Sequence, residues 1–166
     1  MRGFWLHLHA LPQRPIPEDR VTQAERPSRT IAPGTPLQKV IPPRLVEPYL
    51  NGQRSVIAGY LYLAQDSAFP DPASYYHALA LGYEGTEFSP DMAEVCVLRW
   101  LALDMTESLL PPPEPRGDGP ASTVPEFYTL PVPIPVGTEM HRITSGAQEF
   151  IARYDGQVWL RPVRGI

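Results

Sequence analysis

The densest set of groups able to do chemistry is acidic: Glu84, Glu87, Asp91 and Glu94 fall close together in one stretch. Carboxylates so grouped can hold a cation or act as a general acid and base pair. They lack the glycine and the ligand spacing of a calcium loop, so the expected setting is a solvated loop at 83–93. Glu84 and Glu87 are candidate binding residues within it. His77 stands beside Tyr75 and Tyr76 and offers a titratable group in an aromatic patch, which makes Tyr76 and His77 candidate binding residues as well. Arg99 interrupts the apolar run 94–103, where a guanidinium needs either an edge position or a carboxylate partner. It completes the binding set. Glu139 and His141 share a strand face and can pair, with Arg142 on the opposite face. His7 and His9 also project together, but two ligands do not make a metal site and none is expected.

Familiar catalytic signatures do not occur. There is no nucleotide-binding glycine loop, no Gly-x-Ser-x-Gly elbow, no His-Glu-x-x-His and no cysteine pair at metal spacing. The single Cys96 allows no internal disulfide and sits in an apolar run, as a small buried hydrophobe does.

The elements that must position these groups are strands. Three alternating runs, 138–144, 149–154 and 157–163, are separated by Ser145-Gly146 and Asp155-Gly156, which predicts a C-terminal three-stranded meander with type I′ turns. Its alternation places Phe150, Ala152 and Tyr154 on one face. Residues 54–64 and 94–103 are apolar on both faces and read as a buried central pair, with a bulge or a close backbone approach expected at Gly59. Between them Asp71-Pro72 opens a helix that is expected to stop at Gly82, the terminal glycine. Residues 4–11 alternate as a short strand. The segment 105–125 is long, rich in proline and glycine, and of the kind that is functional or disordered. Prolines 131, 133 and 135 suit an edge strand or a polyproline segment.

Of 22 prolines, nine fall in 1–48 and nine in 111–135. That distribution predicts a proline-rich extended N-terminal arm, 1–50, and a single α+β domain, 51–166. The expected fold is a twisted, mostly antiparallel β-sheet with one main short helix. Charge is segregated: 1–44 carries seven Lys/Arg against three acids, whereas 45–137 carries three against twelve. An acidic body argues against a nucleic-acid surface; the first expectation is that the basic arm lies across it, and the second that a separate basic protein recognises it as a partner. No apolar run is long enough to span a membrane, and no small-residue cleavage site follows the N-terminal apolar segment, so a cytoplasmic protein is expected. Thirteen Arg against one Lys point to a GC-rich bacterial or phage genome by codon usage.

The order strand, helix, strand, long loop and a strand beginning at Glu126 (VPEFYTLPVPIP) resembles that of ADP-ribosyltransferase-type domains. The resemblance implies NAD as cofactor, with Glu126 positioning its ribose and Arg54, at the first core strand, holding it. The family's Ser-Thr-Ser strand and its paired glutamates are not present. A non-catalytic binding or interaction protein is therefore the first expectation, needing no cofactor. The alternatives are an NAD-consuming transferase or glycohydrolase of toxin type, which toxin–immunity gene adjacency would mark, and a phage or structural assembly component.

Overall fold

The computed structural model describes residues 31–83, 85–103, 109–110 and 121–163. The strand expected at 4–11 with His7 and His9, Glu84, and most of 105–125 lie outside the described residues.

Eight strands form one sheet in which every paired neighbour is antiparallel. In chain order they are β1 (Pro36–Ile41), β2 (Val56–Leu63), β3 (Glu94–Leu101), β4 (Leu109–Leu110), β5 (Glu126–Pro133), β6 (Glu139–Thr144), β7 (Ala147–Tyr154) and β8 (Trp159–Leu160). A 3₁₀ turn at Pro43–Leu45 leads into α1 (Val46–Leu50), and α2 (Pro72–Ala78) follows β2. The fold is α+β, with strand order β4-β5-β2-β1-β3-β6-β7-β8 and a closing meander of β6, β7 and β8.

The two runs read as a central pair are not neighbours. β1 lies between them, pairing over Pro36↔Leu101 to Ile41↔Cys96 with β3 and over Leu37↔Leu63 and Gln38↔Tyr62 with β2. The recurrence of prolines there places its residues in the expected arm. The five residues between Pro36 and Pro42 are proline-free, and Pro36 opens the strand, where a missing N–H is tolerated. β1 and β2 then diverge, and the Lys39 amine bridges the gap to the Tyr60 carbonyl at 3.4 Å.

Each sheet face has its own core. On one, Leu37, Ile41, Cys96, Leu98, Trp100, Met140 and Ala152 pack with Ile57, Leu61 and Phe127 under Val46, Tyr49 and Trp159. On the other, Val40, Tyr62, Val95, Val97 and Ile143 pack with Tyr75, Leu79 and Leu81 of the α2 segment. Cys96 is fully buried, and burial, followed by the charge of Glu94, pushes its thiol up to about 11.

Asp71 caps α2 as expected: its carboxylate accepts from Ser74 N at 2.9 Å and Ser74 Oγ at 2.8 Å. The helix ends earlier than Gly82. Ala80, at φ 48, takes the left-handed position, with Leu81 N bonded to Tyr76 O at 3.0 Å and Ala80 N to His77 O at 3.4 Å. Gly82 serves a different purpose. A Cβ there would lie 2.2 Å from the Tyr76 hydroxyl, so the glycine admits that ring.

Turns and faces of the meander also differ in detail. Ala80 is the only non-glycine residue at positive φ among those described, so neither two-residue signal forms a type I′ turn. At Ser145-Gly146 only the glycine, at φ 82, is left-handed. At Asp155 the side chain takes over, Oδ1 accepting from the Gln157 and Val158 amides at 2.8 Å each. The β6–β7 register steps from Met140↔Ala152 to His141↔Phe150, leaving Ile151 as a bulge. Phe150 and Ala152 therefore face opposite sides. A second bulge lies just before Gly59, where Ile57↔Val132 gives way to Gly59↔Thr129; the extra residue lies on β5, beside Pro131.

β5 and β6 are four places apart in the sheet, about 19 Å if flat, yet only residues 134–138 join them. This strap is not fully stretched, since Thr138 N bonds back to Pro135 O at 3.1 Å. The sheet must curl toward it. The strap bonds Ser55 O through Ile134 N at 3.3 Å and Tyr154 O through Gly137 N at 2.8 Å, tying the two halves of the sheet together at one end.

Candidate functional site

Two groups of residues carry the chemistry the fold assembles. The first surrounds Arg99 on the α2-side face. Pairing of Gln38, Arg99 and Glu139 across β1, β3 and β6 sets them in one row. Arg99 has no carboxylate partner among the described residues. Its Nε donates to Gln38 Oε1 at 2.7 Å, Nη1 to Gln148 Oε1 at 3.1 Å and Nη2 to Tyr75 Oη at 3.3 Å. The expected carboxylate is replaced by three neutral oxygens, which fix the guanidinium without neutralising it. Gln38 is itself locked: fully buried, it donates to Ser67 O at 2.7 Å and Ser67 Oγ at 3.1 Å.

The network continues to His141. Gln148 Oε1 accepts from Arg99, so its amide nitrogen, 3.3 Å from His141 Nδ1, is the donor there. The imidazole proton then sits on Nε2, facing Glu139 Oε2 at 3.1 Å. Glu139 and His141 do pair. Burial lowers the His141 pKa below the ordinary imidazole value, opposed by the hydrogen bond to Glu139 and aided by the charge of Arg99.

The second group lines a groove between α1 and the β7–β8 hairpin. One recess, about 300 Å³, is walled by Tyr49, Tyr154 and Trp159, with Ile134, Asn51 and Arg54 at its rim. The rings meet at 6.4 Å (Tyr49–Trp159) and 5.4 Å (Tyr154–Trp159), and the Arg54 guanidinium stands 5.7 Å from the Tyr49 ring centre. Burial raises the Tyr49 hydroxyl above the usual tyrosine range, partly offset by Arg54. Sharing Leu50 with it is a second recess of about 320 Å³, with Val46 and Ile151 as apolar lining and Glu47, Arg142, Glu149 and Arg161 as charges. Arg161 pairs with Glu47 at 3.2 Å and Arg142 with Glu149 at 3.0 Å. Arg142 Nε also lies 3.1 Å from Glu94 Oε2, close enough for charge pairing without the alignment of a hydrogen bond.

The remaining candidate residues are dispersed. Glu87 forms a bidentate ion pair with Arg44 in the exposed loop. His77 is exposed on α2, edge-on to the Tyr76 ring at 5.3 Å. Arg54 and Glu126 are not brought together. Arg54 precedes the start of β2, whereas Glu126 accepts from the Tyr62 hydroxyl at 3.1 Å near the other end. From Val56 to Tyr62 the strand alone separates them by about 20 Å. Gln38, Ser67, Gln148 and the Tyr49–Trp159 pair were not singled out from sequence. A polar residue inside the short apolar strand PLQKVI was the one available signal for Gln38.

Among the described residues no group of three or more His, Cys, Asp and Glu side chains is placed to hold a metal ion. Among them also, no helix is long and apolar enough to cross a membrane. No protein-family model, curated protein or solved structure matches the chain.

Proposed function

We propose that the protein is a non-catalytic binding protein that engages another protein along the groove between α1 and β7–β8. The observation that carries this reading is the state of β7. The strand is eight residues long, yet β8 pairs with it only at Arg153↔Leu160 and Tyr154↔Trp159. Among the described residues nothing pairs with its outer edge over Ala147–Ala152, and the recess lined by Glu149 and Ile151 lies beside that edge. Unpaired edges of this kind accept an extended segment of a partner, main-chain bonds supplying affinity and adjacent pockets supplying choice of side chain. The alternating apolar and charged lining suits an extended chain better than a compact small molecule.

The test is site-directed photocrosslinking in cells of the source organism. A photoreactive residue at Glu149 is expected to capture one stoichiometric protein, while the same residue at Asp66, beyond the far end of β2, captures none. Equal labelling from both positions, or no product from Glu149 above background, refutes the proposal.

A further inference from the structure

We infer that Arg99 is the anchor of a separate ligand site on the α2-side face, and that it receives the carboxylate of a ligand carrying an aromatic or apolar group. A guanidinium has five N–H groups; Nε and one N–H of each terminal nitrogen are engaged by Gln38, Gln148 and Tyr75. One N–H on each terminal nitrogen is left without a partner among the described residues, and a two-oxygen anion can accept from both terminal nitrogens at once.

The guanidinium is also preorganised. Gln38 and Tyr75 are both fully buried, and Gln38 is held in turn by Ser67, so the guanidinium is fixed before any ligand arrives. Charge favours an anion here as well. Across this face Arg99, Glu139 and Arg153 follow one another in register, two guanidinium groups to one carboxylate. The Glu139 carboxylate is turned to His141, so the row keeps a positive excess beside Arg99. Flanking this charge is apolar surface. Leu101, two residues along β3, is 59% exposed, and Phe150, edge-on to His141 at 5.6 Å, is 37% exposed. A charged fork between an exposed leucine and an exposed phenylalanine favours a carboxylate borne on an apolar body over a fully hydrated anion.

Benzoate and inorganic phosphate are the probes, titrated into the full chain at constant ionic strength while the Arg99 Nε–H resonance is followed by NMR. Benzoate is expected to shift that resonance saturably in the millimolar range, with phosphate at least several-fold weaker. In Arg99→Gln the affinity is expected to fall at least about tenfold, and Arg99→Lys, which keeps charge without the fork, is expected to fall between the two. No saturable shift at Arg99, unchanged affinity in Arg99→Gln, or phosphate binding as tightly as benzoate overturns the inference. Because the first readout is made on the unsubstituted protein, it stands even where a variant is poorly folded.

Discussion

Replacing Gln38 with leucine isolates the interaction on which the Arg99 arrangement depends. Volume is nearly conserved, so packing changes little, but three hydrogen bonds are lost at 2.7, 2.7 and 3.1 Å. A bond to a charged donor is worth about 1.5–3 kcal/mol, and a buried carbonyl left unpaired costs about 1–3 kcal/mol. The gain from burying leucine instead of an amide offsets about 1–2 kcal/mol of this. The net expectation is a loss of about 2–4 kcal/mol. For a chain of this size each kcal/mol lowers Tm by about 2–4 °C. Urea unfolding followed by tryptophan fluorescence measures the loss directly, since Trp100 and Trp159 are both buried. The same experiment on Ser67→Ala and on the double variant should give a coupling energy of about 1 kcal/mol. A loss below about 1 kcal/mol for Gln38→Leu, or strict additivity with Ser67→Ala, would refute the reasoning, because the buried amide would then not be holding Arg99.

Three further outcomes are expected. His141 has its pKa lowered by burial, so on acidification the unfolded chain takes up a proton before the folded one does. Stability is then complete above the ordinary imidazole value of 6.5 and declines as pH falls below it toward the lower folded value, a slope that urea titrations should find flattened in His141→Gln. Gly82→Ala places a methyl group against the Tyr76 ring and should cost about 1–3 kcal/mol, most of it recovered when Tyr76→Ala is added. Incubation with NAD should release no nicotinamide above background, since Arg54 and Glu126 flank opposite ends of β2; turnover abolished by either Arg54→Ala or Glu126→Ala would contradict this.

Local signals in the sequence were sound where chemistry alone decides the structure. Asp71-Pro72 starts a helix because its carboxylate meets the first free amides, and Ser145-Gly146 turns the chain because glycine accepts a positive φ. The signals failed where tertiary pairing decides. PLQKVI, set among prolines, has no pattern to distinguish a central strand from an arm, and only its pairing on both sides makes it one. The bulge at Ile151 reverses the faces of Phe150 and Ala152 without any glycine or proline to announce it. The helix stops at Ala78 because its last carbonyl is taken by Thr123 N at 2.8 Å and Ser122 Oγ at 3.2 Å, groups far away in sequence. Arg99 was legible as an anomaly, but its neutral partners come from β1, α2 and β7, which no local pattern assembles.

The position of β1 governs how the chain reaches this state and how it can fail. The β6–β7 hairpin needs only a two-residue turn and can form within microseconds. β1, by contrast, must wait for β3, which follows it only after α1, β2 and α2 have been synthesised and folded back. Without β1 in place the sheet would be two pieces, β4-β5-β2 and β3-β6-β7-β8, connected by the strap. Each piece then presents a long apolar edge, β2 in one and β3 in the other, and either edge can recruit a neighbouring chain as readily as its own β1. Substitutions that weaken β1 should therefore appear first as aggregation during refolding and expression, before they register as a lowered melting temperature.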